Sequence, residues 1–318
     1  MKTVVFGCVA ALGLSLAAGV ASADTMLGPP VVSTTFGLDT GPMPDVASDP
    51  ATHRAYVTSQ GDDTLYVLDA TSRIAAITVG PSPRFAAVDS TTQTAYVTTG
   101  DSVSVVDIAS GSVTGTIAVG TNPEGAEVDP DTRRLFIANA GDDSVSVVDT
   151  DSRTVTATID VGSRPGKMGV DPTSHLLYVS NRGSATVSVV DPSLSSVIDT
   201  IAVGRNPNDV AIDPPTHTAF VPNTADNSVS VVDLNSRAVI QTIAVGQQPS
   251  AGTVDSDAHT VLVTNHGAAS VSVIDSQRRV VTDTVGVGDG PQTVAADPAT
   301  HTAWVVDFRA NSISVIER

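Results

Sequence analysis

From about residue 40 onward the chain alternates short apolar runs with polar, turn-forming stretches. The runs are four to six residues long, rich in Val, Ile and Thr, and bounded by Gly, Pro, Asn and Asp. That is the chemistry of strands and turns. The run Ser144-Val145-Ser146-Val147-Val148-Asp149 alternates polar and apolar side chains, as a strand's period of two requires. No segment sustains apolar positions at i, i+3, i+4 and i+7 between capping residues, so strands are predicted throughout.

The alternation is itself periodic. Gly-x-x-Pro recurs at Gly41/Pro44, Gly80/Pro83, Gly120/Pro123, Gly162/Pro165, Gly204/Pro207, Gly246/Pro249 and Gly288/Pro291, with successive prolines 39 to 42 residues apart. Each unit holds four apolar runs. The first ends in Asp, often Asp-Pro as at Asp129-Pro130; the second resembles Tyr178-Val179-Ser180. The third alternates, and a fourth such as Thr242-Ile243-Ala244-Val245 leads into the next glycine. Seven such units, starting near residues 44, 83, 123, 165, 207, 249 and 291, predict an all-β fold: a seven-bladed β-propeller of four-stranded blades. A solenoid, the competing repeat architecture, uses shorter coils and capped ends. The seventh unit stops after Ser312-Ile313-Ser314-Val315-Ile316, one strand short, and Val31-Val32-Ser33-Thr34-Thr35-Phe36 resembles the missing strand. A closing strand within residues 31–40 is therefore expected to complete the last blade and remove an open sheet edge.

The N-terminus follows a different pattern. Lys2 precedes an apolar run from Val4 to Val20, and Ala21-Ser22-Ala23 supplies the small residues of a signal-peptidase site. Residues 1–23 are read as a signal peptide and 24–318 as one exported propeller domain, periplasmic, cell-surface or extracellular. An uncleaved membrane anchor is the competing reading. No comparable apolar run follows, so no membrane span is expected in the mature chain. Only seven residues precede Cys8, which argues against a lipoprotein signal.

The second runs carry Tyr96-Val97-Thr98-Thr99, Tyr178-Val179-Ser180-Asn181 and Leu262-Val263-Thr264-Asn265, with Phe136-Ile137-Ala138-Asn139 and Phe220-Val221-Pro222-Asn223 as degenerate copies. With the flanking Asp-Pro, Val-Ser-Val-Val-Asp and Val-Gly-x-x-Pro elements, this resembles the YVTN repeat of the YncE-like exported bacterial propellers, over essentially the whole mature chain. The resemblance implies the fold. It leaves function open, because similar repeats serve binding proteins, surface-layer components, lactonase-type enzymes and haem-carrying propellers.

Composition narrows the chemistry. Thirty-four acidic residues against 16 basic give a formal charge of −18, which argues against general nucleic-acid binding. The 41% of hydrophobic residues suffices for a packed core. A single Cys excludes an internal disulfide, a Cys-rich zinc site and a Cys-x-x-Cys-His haem attachment within this sequence. Signatures of serine hydrolases, zinc proteases, phosphate-binding loops and EF-hands are missing, so no cofactor, metal site or catalytic residue is assigned. Gly286-Val287-Gly288-Asp289-Gly290 lies between two strands without the helix a dinucleotide loop needs, and reads as a blade connection. Five of six histidines, His53, His175, His217, His259 and His301, share one repeat position, in the turn after the first strand, where Gln93 and Arg133 stand in the other two units. Spread around a ring, they cannot meet at one metal. Asp69, Asp107, Asp149, Asp191, Asp233 and Asp275 end third strands and read as turn formers.

Function is sought where the repeat is broken. In a four-stranded blade, the connections between blades and the loops joining second to third strands open on one face, here called the upper. Along those loops lie Arg84, Glu124, Arg164, Lys167, Arg182, Arg205, Asp209, His266 and Arg309. The basic members could focus an anionic ligand near the channel mouth, Arg being suited to carboxylate or phosphate. The competing reading pairs these arginines with upper-face acids such as Asp62, Asp63, Asp101, Asp142, Asp143 and Asp226. Two functions follow. The favoured one is a non-catalytic, monomeric binding or scaffolding module for a small anionic ligand or for a protein or cell-envelope partner. The alternative is a lactonase-like hydrolase at the top of the channel, in which Glu124, Asp209 or His266 activates water and an Arg steadies the oxyanion.

Overall fold

The computed structural model describes residues 28–38 and 41–318; the segment read as a signal peptide lies outside the described residues. Each repeat unit folds into an antiparallel sheet whose strands neighbour one another in sequence order. In the third blade these are Pro123–Asp129, Arg134–Asn139, Ser144–Asp149 and Thr154–Asp160. The blades span 46–78, 83–118, 123–160, 165–202, 211–244, 249–286 and 291–317, making a seven-bladed propeller of four-stranded sheets. The last blade has three strands of its own. Its fourth is Val31–Gly37, antiparallel to Ser312–Glu317, with Val31 opposite Glu317 and Gly37 opposite Ser312. Among the described residues, Pro214–Thr216 forms one short helical turn.

The apolar side chains are not gathered into one central core. They form seven clusters, each between the facing sheets of two adjacent blades. Between the last and first blades, Trp304, Val306, Ile313 and Val315 pack against Val46, Val57, Tyr66 and Leu68, and the Trp304 indole donates to the Asp69 carbonyl at 3.1 Å. Val31–Gly37 alternates exposed and half-buried residues, so it covers a sheet edge more than it fills a core.

Polar links repeat with the blades. The aspartates ending third strands accept backbone N–H bonds from residues two or three ahead, as Asp149 does from Ser152 at 2.7 Å and Asp69 from Thr71 at 2.7 Å. The repeated histidines take left-handed backbone angles in their turns. Three also clasp the preceding blade: His53 Nδ1 lies 2.7 Å from Asp297, His175 3.0 Å from Asp129 and His301 2.9 Å from Asp255. The buried Asn that closes the second strand donates to two serines of the third, as Asn223 does to Ser228 at 3.2 Å and Ser230 at 2.9 Å. The repeat glycine faces this Asn so closely that a Cβ on Gly204 would come within 2.5 Å of Asn223. In the last blade Asp307 replaces the Asn. It accepts from Ser314 at 2.6 Å and Ser312 at 3.3 Å, and burial pushes its carboxyl up to about 6.

Two expectations follow. The folded chain holds the Asp307 proton to higher pH than an unfolded chain does, so stability falls as pH rises from about 4 through about 6 and stays lowered above. Asp307→Asn should install the residue that four other blades carry there (Asn139, Asn181, Asn223 and Asn265) and stabilise by on the order of 1–2 kcal/mol at pH 7.5, and far less at pH 4. Thermal melts at both pH values check this, and equal gains would contradict it. Deleting residues 31–37 should lower the melting temperature and promote association through the bared 312–317 edge. Light scattering reads this; a monomeric truncated chain with an unchanged melting temperature would contradict it.

Candidate functional site

The first strand of each blade lines the central channel, and the upper end of that strand is irregular. In the second blade Pro83 pairs with Thr99 and Ala86 with Val97, so Arg84 and Phe85 together oppose only Thr98. The same bulge carries Glu124 and Gly125, Gly166 and Lys167, and Ser250 and Ala251. A bulge bends the strand and re-aims side chains out of the regular alternation. In the second, fourth and sixth blades a second-strand hydroxyl holds it, while Ala138 stands at that position in the third. Thr98 accepts the Phe85 N–H at 2.9 Å, Thr264 accepts the Ala251 N–H at 3.0 Å, and Ser180 donates to the Lys167 carbonyl at 2.7 Å.

Two rings of non-repeating residues result. Five positions before the Asp that ends each first strand stand Pro44, Arg84, Glu124, Gly166, Asn208, Ser250 and Gln292; four positions before it stand Asp45, Phe85, Gly125, Lys167, Asp209, Ala251 and Thr293. The outer ring is the upper mouth. There Arg84 reaches Glu124 at 3.4 Å and the Asn122 side-chain carbonyl at 2.7 Å, while the Arg182 guanidinium pairs with the other Glu124 oxygen. Gly166 leaves the room this needs, since a Cβ there would lie 3.3 Å from Arg182 Nε and 3.1 Å from the Asn208 carbonyl. Burial lowers the pKa of both arginines, and for Arg182 the charge of Arg84 adds to it. The mouth thus holds two guanidinium groups against one carboxylate.

The inner ring is the neck. Lys167 of the fourth blade crosses the channel to Asp45 of the first, Nζ to Oδ1 at 2.7 Å. Asp45 also accepts the Ala86 N–H at 3.1 Å, and Asp209 accepts the Gly252 N–H at 3.2 Å, so each carboxylate clasps the first strand of the next blade. Asp209 accepts its neighbour Val210 N–H as well, at 2.7 Å. Burial raises the Asp45 and Asp209 carboxyls, with Lys167 pulling the other way. Burial also opposes the Lys167 charge, but the surrounding carboxylates, Asp45 foremost, outweigh it and hold the ammonium above its usual value. Further down, Glu127 borders the channel where Ala47, Ala87, Ala211 and Ala295 stand in other blades. Burial, reinforced by Asp209, pushes Glu127 up to about 8.

A cavity of about 650 Å³ lies below the neck. Its wall runs from Asp45, Lys167 and Asp209 down to Pro50, Pro130 and Pro172 in the turns of the lower face, so it opens away from the arginine mouth. The expectation of a site confined to the upper end of the channel therefore misses this space. Asp45 and Glu127 were also not among the sequence candidates. Asp45 was legible as the residue sharing a repeat position with Lys167 and Asp209, and Glu127 as an acid where most blades have Ala.

The remaining candidates stand apart from this cluster. Arg205 is exposed and pairs with Asp226 at 2.6 Å. Arg164 is exposed on the connection into the fourth blade, its N–H held by Asp143 at 2.7 Å. His266 and Arg309 belong to the sixth and seventh blades, where Arg309 lies 3.7 Å from Asp289. Burial, then Arg309, lowers the His266 pKa. Of the upper-face acids, Asp63, Asp101 and Asp142 cap loops by accepting backbone N–H bonds from Ser82, Asn122 and Thr121, and Asp62 accepts the Tyr66 hydroxyl. The three candidate bases occupy three different settings: Glu124 between two arginines, Asp209 among backbone N–H donors in the neck, and His266 in another sector. Among the described residues, no group of three or more His, Cys, Asp or Glu is placed to hold a metal ion, and no helix is long and apolar enough to cross a membrane.

Because the folded protein keeps the Glu127 proton to higher pH than an unfolded chain, Glu127 costs stability progressively from about pH 4.5 through about 8. Glu127→Gln should therefore melt above the parent at pH 8.5, with the gap closing toward pH 5. Scanning calorimetry across that range reads it, and a pH-independent gap would contradict it.

No family model matches the chain, and no curated protein matches it. Among solved structures it is similar to the hydrazine synthase of Kuenenia stuttgartiensis, at 18% identity and a TM-score of 0.77, over 90% of this chain and 98% of that chain. At that identity the likeness shows the propeller fold and specifies no chemistry.

Proposed function

We propose that the protein is an exported, non-catalytic, monomeric propeller of the YVTN-repeat, YncE-like kind, and that it binds a small carboxylate- or phosphate-bearing ligand at its upper mouth. One observation supports the ligand class above others: Arg84 and Arg182, both half-buried, share the single carboxylate of Glu124. The arrangement leaves one positive charge uncompensated at the mouth of a chain whose formal charge is −18. The Arg182 guanidinium is not saturated by the protein, since its buried Nε has no hydrogen-bond partner. Both groups remain charged at physiological pH, because an arginine's ordinary pKa lies so far above it. Charge-assisted bonds to an arriving anion are worth about 1.5–3 kcal/mol each. Both Glu124 oxygens are engaged by guanidinium groups, which counts against a role in activating water and so against the hydrolase alternative. Export rests on Lys2, the apolar run after it and Ala21-Ser22-Ala23.

Isothermal titration with inorganic phosphate and with succinate at low salt tests this reading. The parent should bind at least one of them, Arg182→Ala should weaken that binding by about tenfold or more, and Arg205→Ala should leave it unchanged. Absence of saturable binding by either anion, or full affinity in Arg182→Ala, would reject it.

A further inference from the structure

The cavity on the lower side of the neck has a chemistry opposite to that of the mouth. Its volume of about 650 Å³ falls in the range of small-molecule sites. Its walls carry apolar stretches, with Ala47, Ala87, Val128, Val170, Ala211 and Val254 among the lining residues, interspersed with Ser48, Thr91 and Thr253 and, toward the lower face, Asp129 and Asp131. Its inner end is charged: Asp45, Asp209 and Glu127 supply three carboxyl groups, and Lys167 is the one basic side chain among the lining residues. That ammonium is already committed to Asp45 at 2.7 Å. An incoming anion would meet two further acids there and no free cation. An incoming cation would meet Glu127 and Asp209, while its apolar body lay along the alanine and valine walls.

The repeat sharpens the point. At the Glu127 position four blades carry Ala, and at the neck position other blades carry Phe85, Gly125 and Ala251. A purely structural channel could use those residues throughout, because unbalanced charges in an enclosed space cost stability unless something repays them. Charges that break a repeat's own rule at the floor of an open cavity mark a site rather than a scaffold.

We infer that the lower half of the channel is a second binding site, for a small organic cation that has one primary ammonium group and an aliphatic body. In it the ligand ammonium sits between Glu127 and Asp209, and the alkyl chain fills the apolar walls toward the lower face. The site is separate from the anion site proposed at the mouth, from which the Lys167–Asp45 pair divides it.

The probes are n-hexylamine, hexanoate and n-hexanol, which share a chain and differ in charge, titrated into the full protein at about pH 9, where Glu127 has given up its proton and the amine keeps its own. Hexylammonium should bind saturably with a Kd of about 1 mM or tighter, and at least about tenfold more tightly than hexanoate or hexanol. Glu127→Ala installs the residue that four other blades already use there, so the fold should tolerate it. It should weaken hexylammonium binding by about tenfold or more while still melting cooperatively. Glu127→Gln, which keeps the shape and cannot ionise, should do the same, and Arg205→Ala on the exposed rim should leave hexylammonium binding unchanged. The inference is overturned if hexylammonium shows no saturation, if hexanoate or hexanol binds as tightly, or if both Glu127 variants keep the parent affinity.

Discussion

A blade of this propeller is apolar on both sheet faces and can cover them only with its neighbours. Tyr56, Leu65 and Val67 of the first blade are buried against Ala86, Val97 and Val106 of the second, and the same contact recurs around the ring. Each large apolar side chain buried in this way contributes about 1.5–3 kcal/mol, but only if the neighbour is in place. A chain of blades with open ends would leave two faces uncovered. Closure is therefore the condition on which the interfaces depend, and the antiparallel pairing of Val31–Gly37 with Ser312–Glu317 brings it about by stitching the two ends of the chain into one sheet. Trp304, packed against the first blade and bonded to the Asp69 carbonyl, works at the same seam.

Ring geometry also turns sequence position into spatial layers. A residue at a given place in the repeat appears at one height in the channel, in seven copies around it. Where the copies are alike, as with the histidines that clasp a neighbouring blade's aspartate, the result is structural. Where they differ, side chains from distant parts of the chain meet. Lys167 and Asp45 are 122 residues apart, yet they touch because their blades face each other across the channel. The bulge at the upper end of the first strand makes this possible, since a regular strand would keep those side chains in the alternation that packs blade on blade.

The charges at the neck are an unusual load for a β-rich interior. A buried ion pair seldom stabilises a fold beyond what apolar packing would do in its place, and here three carboxyl groups surround one ammonium. Two of them are made tolerable by backbone N–H donors from the next blade, Ala86 for Asp45 and Gly252 for Asp209. The third, Glu127, is accommodated by holding its proton. The upper mouth shows the reverse imbalance, with two guanidinium groups on one carboxylate. The channel is thus polarised end to end, positive above the Lys167–Asp45 pair and acidic below it.

Much of this was readable in one dimension. The Gly-x-x-Pro period, the four apolar runs per unit and the orphan run at Val31 determined the blade count, the strands and the closing pair, because local β-propensity and turn chemistry act between residues close in sequence. The turn role of Asp149 and its equivalents was readable for the same reason. The candidate site was legible only in part. Arg84, Glu124 and Arg182 were marked as departures from the repeat, as were Lys167 and Asp209, yet nothing in the sequence grouped these five and left Arg164, Arg205, His266 and Arg309 at separate places on the rim. Asp45 and Glu127 passed as a loop acid and a strand acid. Which charges meet was decided by tertiary structure alone, because electrostatic contact depends on distance through the channel, and the curvature of the ring sets that distance.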